Sequence, residues 1–500
     1  MHHLEYEIDR NQFSMMALEE MVDQNSYARL VDIFVDALPL DQLGFTHCNH
    51  ELQGRPPYHP SVLLKLYMYG YRHGLRSSNK LHQACMVNVE LWWLLKGLKP
   101  SARTICYFRT NNVSAFKKAF QHFVLLLKDW KLIDGQTIAI DSFKIRAQNS
   151  LKNNFNQKKI DRHIEYIDHK INEYHTQLDK EDNTDTISEI NDKIAYQKSK
   201  KQNYKDIEKQ LNDSGQSQIS KVDKDARSVV LHRNIVNVGY NIQAGCDSKH
   251  KLFVNAQTGA VNDTHALADM ALEAKELLGL DKMKTLTDKG YTTGAELAKC
   301  EQNNIVTYSS PKEHSSPNNG LYPMSIFNYD KVNDTYTCPA GQMMITNGSI
   351  YNKANHKVKH YKTKACKQCP VRHLCTTNKN GRFIERGIYQ QTLENNENRV
   401  NQNPDYYRLR QQITEHQFGT LKRQWGFTYT LMKGKQNVLS EVYLCFSVYN
   451  LIRAFKIMDP KVLKQRLKNL ISCVFDKIDL FKALLSPQNY FEKFLGISLS

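Results

Sequence analysis

Two short runs constrain this chain more than any other feature. Gln136-Thr-Ile-Ala-Ile-Asp141-Ser is apolar and β-branched, so it reads as a buried strand, and it ends on a carboxylate. Lys284-Thr-Leu-Thr-Asp288-Lys-Gly-Tyr is a second strand of the same kind, again stopping at an aspartate. A third acid, Glu415, stands in Arg410-Gln-Gln-Ile-Thr-Glu415-His, which reads as part of a later helix. Hard divalent cations take oxygen ligands near octahedral geometry and keep waters and phosphate oxygens in their shell. Asp141, Asp288 and Glu415 are therefore expected to converge on Mg²⁺ or Mn²⁺. Each acid also has a plainer reading: a strand-end turn or cap for Asp141, a turn former for Asp288, an exposed helix residue for Glu415. Asp247, Asp263 and Glu385 compete with them. Strand-end placement of both aspartates favours the set.

The elements between and after these runs give the fold class. Gly239-Tyr-Asn-Ile-Gln-Ala-Gly and Lys251-Leu-Phe-Val-Asn-Ala-Gln alternate at period two around Cys246-Asp-Ser-Lys-His250, a hairpin pattern. Asp263 then reads as the N-cap of a helix, the Asp288 strand follows, Thr293-Gly-Ala-Glu-Leu opens another helix, and Asn304 to Tyr308 is a further strand. That order is α/β and fits an RNase H-like catalytic core interrupted after its first strand.

Five hundred residues exceed what one compact core serves, so about two to four structural units are expected. Residues 1–130 read as a helical N-terminal domain. Its spacing predicts a helix around Met16 to Met21, another around Leu30 to Phe34, a proline loop at Gly54 to Pro60, a helix from Ser61, a break near Gly74 and a further helix capped by Ser77 or Ser78. The domain is either a scaffold with a solvated charged face or a helix-turn-helix-like DNA reader, with Arg76 near phosphate at a helix N-terminus. Lys65, Arg103 and Arg109 are among its other basic residues.

Residues 131–308 form the first part of the core. At about 150–222 they carry two polar helices with narrow apolar seams (Ile160, Ile164, Ile167, Ile171; then Ile187, Ile190, Ile194), an inserted antiparallel hairpin of coiled-coil type. Residues 309–386 are a turn-rich, cysteine-containing insertion. Residues 387–455 complete the core with the Glu415 helix and a run apolar nearly all round, and 456–500 read as a helical tail.

A formal charge of +17 points to a polyanionic partner, nucleic acid first, because each neutralised phosphate releases counterions. No run approaches the roughly 18 apolar residues of a membrane span, and Met1-His-His-Leu-Glu-Tyr lacks a secretory pattern, so a cytoplasmic protein is expected. Its eleven cysteines are then reduced thiols or metal ligands. Cys366-x2-Cys369-x5-Cys375 with Cys338 upstream fits a structural four-thiolate Zn²⁺ site, although a second tight pair is missing.

Two cations about 4 Å apart would activate a water or a 3′-hydroxyl and stabilise the leaving oxygen at phosphorus. Lys289 and Lys422 are candidate phosphate contacts, and Arg408 is a further DNA-binding candidate. Glu415 and Lys422 are seven residues apart, nearly two helical turns, so an unbroken α-helix projects both from one face.

The residues also carry a family resemblance. Gly54-Arg-Pro-Pro-Tyr-His-Pro, Leu64-Lys-Leu-Tyr-Met-Tyr-Gly-Tyr-Arg-His-Gly-Leu-Arg-Ser-Ser, Val238-Gly-Tyr-Asn-Ile-Gln-Ala, Thr287-Asp-Lys-Gly-Tyr, Thr337-Cys-Pro-Ala-Gly, the Cys-x2-Cys-Pro segment and Glu415-His-Gln-Phe-Gly-Thr-Leu-Lys occur in one order. Together they resemble bacterial insertion-sequence DDE transposases of the IS1182 type, in the IS4/IS5-like group. The resemblance implies cleavage and strand transfer at terminal inverted repeats, catalytic acids at Asp141, Asp288 and Glu415, Mg²⁺ by default, double-stranded DNA ends and target DNA as partners, and a homodimer in the synaptic complex. One departure matters: Tyr407 and Arg410 stand one residue earlier, relative to Glu415, than the related group's Tyr and Arg. A catalytically inactive DNA-binding regulator, or an RNase H-like nuclease without strand transfer, fits the same residues.

Overall fold

The computed structural model describes residues 15–49, 56–232, 235–259, 261–311, 320–353 and 356–470. The first residues after Met1, Arg55 and the tail beyond 470 lie outside them. In chain order, helices α1 (Tyr27–Asp36), α2 (Pro60–Arg72), α3 (Ser78–Val87), α4 (Val89–Leu94), α5 (Ala102–Asn111) and α6 (Val113–Asp129) precede strand β1 (Thr137–Arg146). A short strand β2 (Asn154–Phe155) leads to helices α7 (Gln157–Leu178) and α8 (Thr184–Ser214), and β3 (Ile219–Ser220) closes that excursion. Then come β4 (Arg227–His232), β5 (Ile235–Asp247), β6 (Phe253–Thr258), α9 (Leu267–Leu277), β7 (Met283–Thr287), α10 (Gly294–Gln302) and β8 (Ile305–Ser309). Strands β9 (Asn328–Asp330), β10 (Thr335–Thr337), β11 (Met343–Lys353), β12 (His356–Lys362) and β13 (Phe383–Gly387) follow, with the short helix α11 (Arg372–Cys375) before the last. Helices α12 (Gln390–Gln402), α13 (Pro404–Gly419) and α14 (Lys435–Ile457) end the labelled elements.

The chain divides into two compact units: residues 1–134, 142–261 and 414–500, and residues 135–141 and 262–413. In the first unit, the helical start forms as its local chemistry dictates. Pro60 sits at the first turn of α2, Gly74 breaks the chain at φ +70, and the Ser77 hydroxyl caps α3 by accepting from Lys80 N. Gly70 is required where α2 meets α3, since a Cβ there would lie 2.2 Å from Leu81 Cδ2 and 2.6 Å from Leu75 O. The expected helix around Met16 to Met21 is absent: residues 15–25 form turns, with Met15, Met16, Leu18 and Met21 exposed. No apolar face covers those side chains, so helical spacing alone does not hold a helix there.

Strand β5 pairs antiparallel with β4 and with β6, the hairpin expected around Cys246 to His250, where Asp247 Oδ2 accepts from Lys249 N. The Ala147 N–H donates to Val238 O beside the end of β1. Helices α7 and α8 form the inserted hairpin, with Ile160, Ile167, Ile190, Ile194, Ile207 and Leu211 as its buried seam. Helix α14 is long and apolar enough to cross a membrane by composition, yet it is mostly buried in this unit. Its Phe446 ring stacks on Phe253 of β6 with centroids 3.6 Å apart, both side chains fully buried. Each such ring contributes about 1.5–3 kcal/mol on leaving water. Asn450 Nδ2 donates to Phe253 O and its Oδ1 accepts from Phe253 N, so the outer edge of β6 is satisfied by a side chain.

In the second unit, the start of β1 pairs in parallel with β7, and β7 in parallel with β8. Asn396 of α12 closes the β8 edge as Asn450 closes β6, bonding Ser309 N and O at 3.0 and 2.7 Å. Asp263 is not a helix N-cap: α9 starts at Leu267, and Asp263 O accepts from Ala266 N in the preceding turn. The turn-rich insertion is a five-stranded antiparallel sheet, β13-β12-β11-β10-β9, over a core of Phe327, Tyr336, Met344, Tyr361 and Ile384. Glu385 in it is paired with Lys353, which removes it from the competing acids.

Candidate active site

In the second unit, the register of β1 on β7 sets Ala139 opposite Leu286. Asp141 and Asp288 each follow two residues later, and Asp288 is still extended at φ −82, ψ 179. Side chains two apart on a strand share a face, and neighbouring strands lie about 4.8 Å apart. Both half-buried carboxylates therefore leave the same face of neighbouring strands, Asp288 just past the end of β7 and Asp141 in mid-strand, since β1 does not stop at Asp141 as expected but runs on to Arg146. The register thus sets these two acids on adjacent strands.

Each carboxylate is held. Asp288 Oδ1 accepts from Gly290 N at 2.8 Å and starts the tight turn Lys289–Tyr291. Its carbonyl accepts from Ser309 Oγ, which in turn accepts from Thr287 Oγ1 at 2.8 Å. Gly290 leaves little room for a side chain: a Cβ would lie 3.0 Å from Asp288 Oδ1 and 3.6 Å from Asp263 Oδ2. Asp263 thus stands against the same turn. Asp141 Oδ2 accepts from Arg410 Nη1 at 3.2 Å, and both side chains are largely shielded. Tyr406, one helical turn before Arg410 and on the same face, shares a hydrogen bond with Thr137 Oγ1 at 2.7 Å and meets Tyr308 edge-on. That packing fixes this part of α13 beside β1. Lys289 is exposed next to Asp288.

Glu415, Lys422 and Arg76 belong to the first unit. Glu415 is exposed on the last turns of α13. Lys422 is half-buried with its ammonium 5.6 Å from the Phe143 ring centre; burial, with Lys144 adding, holds its pKa below the usual lysine range. The expectation that Glu415 and Lys422 share one face rests on an even phase that the structure interrupts. It assumes 3.6 residues per turn throughout, whereas α13 ends at Gly419 and Thr420–Gln424 winds as a π-helix, which changes the phase. The reading of Arg76 needs correction. It is 4% exposed, donates to the carbonyls of Tyr429 and Gly426, and lies over the Phe427 and Tyr429 rings. Its donors are committed to protein and do not face phosphate. Arg109 and Lys65 are buried likewise, on Glu441 and on Asp32 with Asp36. Arg408 is exposed and pairs with Asp405 one turn back.

Three features escape the sequence reading. Arg410 was discounted for its offset spacing, yet it reaches Asp141. Asp263 stands against the Asp288 turn instead of capping a helix. Lys251, Arg453 and Lys456 gather around His416, whose pKa they lower after burial does; only the fold brings them together. The four cysteines Cys338, Cys366, Cys369 and Cys375 line one cavity in the second unit. Among the described residues, no group of three or more His, Cys, Asp or Glu side chains is placed to hold a metal ion.

Residues 337–455 match the family described as transposase DDE domain, and residues 16–111 match the family described as transposase domain DUF772. The first match includes Glu415, Lys422 and the four cysteines; Asp141 and Asp288 fall outside both. No curated protein matches the chain. A solved structure, the electron cryo-microscopy structure of a piggyBac transposase synaptic complex with hairpin DNA, is similar at TM-score 0.33 and 11% identity, over 95% of this chain and 85% of that one. At that level the likeness carries no argument about the fold. The chain thus carries matches to two transposase domain families, one at each side of the β1–β8 region.

Proposed function

We propose that this transposase cleaves DNA at terminal inverted repeats and transfers the strands by metal-dependent phosphoryl transfer, with Asp141, Asp288 and Glu415 as its catalytic acids. The observation that carries the reading is the parallel register of β1 on β7, in which Asp141 and Asp288 each stand two residues beyond the paired Ala139 and Leu286. The parallel pairing of β1 with β7 and of β7 with β8 supports the reading further.

Two hard carboxylates on one face, with solvent access, fit Mg²⁺ or Mn²⁺, and Asp141, Asp288 and Glu415 are the residues to hold it. When bound, such ions lower the pKa of an attacking water or 3′-hydroxyl and stabilise the leaving oxygen. The protein's own part is positioning. Arg410 fixes one Asp141 oxygen, and the Gly290 N–H fixes one Asp288 oxygen. Lys289 and the basic group of Lys251, Arg453 and Lys456 bind phosphates. DNA is the partner in this reading, and two copies of the chain would bring two ends together.

The test is a nicking and strand-transfer assay on DNA carrying the element's ends. Mg²⁺-dependent cleavage and joining of a labelled 3′ end to plasmid are expected. Folded protein that binds those ends but never nicks them would leave the inactive regulator as the answer; nicking without joining would leave the nuclease.

A further inference from the structure

The connection between β12 and β13 poses a physical problem. From Lys362 to Asn380 not one residue is buried, and neither α11 nor the 3₁₀ turn Lys364–Gln368 buries a side chain. A segment of that length without a core of its own needs a covalent or metal staple to hold one shape. Three half-buried cysteines, Cys366, Cys369 and Cys375, punctuate it, and Cys338 faces them from the β10–β11 turn.

The surroundings of these sulfurs are specific. Cys338 begins a tight turn in which Gly341 N donates to Cys338 O, Cys338 N donates to Gln342 O, and Gln342 N donates to Cys338 Sγ at 3.4 Å. Gly381, at φ +89, stands directly against Cys366; a Cβ there would lie 2.5 Å from Cys366 Cβ and 3.3 Å from its Sγ. Arg372 and Arg382 line the same cavity, and Arg382 also donates to Cys375 O. No carboxylate lines it.

We propose that Cys338, Cys366, Cys369 and Cys375 form a four-thiolate Zn²⁺ site that staples the β12–β13 connection to the β10–β11 turn. Zn²⁺ prefers four sulfur ligands in a tetrahedron at about 2.3 Å, and the Cys-x2-Cys spacing supplies adjacent corners. Four thiols lose four protons on binding, leaving a −2 cluster that the flanking Arg372 and Arg382 offset. The sulfurs share the cavity without yet forming a closed ligand set, so ligation requires side-chain rotation about Cβ, which the half-exposed cysteines permit. The site is structural and independent of DNA cleavage.

Metal analysis of full-length protein purified without chelator is expected to give about one zinc per chain, and Cys366→Ser with Cys369→Ser below about a tenth of that. Cobalt(II) in place of zinc is expected to give the intense visible bands of a tetrahedral thiolate site. Chelation of the unmutated protein should lower its melting temperature, and zinc should restore it, which covers the case where the variant fails to fold. Metal-free folded protein whose four thiols react freely with a thiol reagent would overturn the proposal. So would a Cys366–Cys369 disulfide in unreduced protein, or an octahedral cobalt spectrum.

Discussion

The aspartate end of the strands and the helix that carries Glu415 are built on opposite plans. Asp141 and Asp288 are half-buried, set by sheet register, and each is tied by a directed hydrogen bond. Glu415 is exposed, and the helix that bears it gives way within a turn to π geometry. Two acids are preorganised and the third is left at the surface of a helix end. The contrast teaches that the strands impose geometry on their acids, while the helical acid is free to be ordered by what binds it.

The sharpest way to break this contrast is to remove one acid from each side. Asp141→Ala and Asp288→Ala should each abolish Mg²⁺-dependent nicking, by about a thousandfold or more, with binding of end DNA nearly intact in a gel-shift assay. Glu415→Ala should do the same; wild-type nicking by any of the three removes that residue from the catalytic set. Arg410→Ala should cost about tenfold in cleavage rate by loosening Asp141, whereas Arg410→Lys should recover part of the loss. An unchanged rate in Arg410→Ala would mean that the ion pair only packs the helix.

Two further outcomes separate packing from binding. Arg76→Ala should destabilise the protein by about 2–4 kcal/mol in urea unfolding, because two carbonyls lose their buried donors. A loss of DNA affinity with unchanged stability would restore its expected phosphate contact. Lys422 gives the smallest effect, read through pH. Its folded pKa lies below its unfolded value, so the unfolded chain binds more protons in the window between them, and stability rises with pH across that window. Lys422→Met should therefore raise the urea midpoint modestly at pH 7, with the gain shrinking as pH climbs towards the ordinary lysine range. A midpoint that falls instead would place a stabilising partner on the ammonium.

Much of this arrangement was legible in the sequence where the signal was local and periodic. The β-branched runs, the Cys246–His250 hairpin, the apolar seams of α7 and α8, and the Ser77 cap all formed as their patterns imply. What failed depended on partners distant in sequence. The basic residues of the N-terminal helices looked like one charged face, yet Lys65, Arg76 and Arg109 are buried on acids and carbonyls that spacing cannot reveal. Helical phase carried Glu415 to Lys422 only while the helix stayed α, and no residue between them announces the π turn. Arg410 was discounted because its offset from Glu415 differed from a related pattern, but its position is set by Tyr406 on Thr137.

The asparagine clamps bear on how copies of this protein can associate. At Phe253 and at Ser309 both backbone groups on the outer side of the strand are already bonded to a buried side chain. A strand from another molecule arriving there would have to displace two hydrogen bonds before making any of its own. Assembly by merging sheets is disfavoured at these points, and so is the runaway polymerisation that open edges invite.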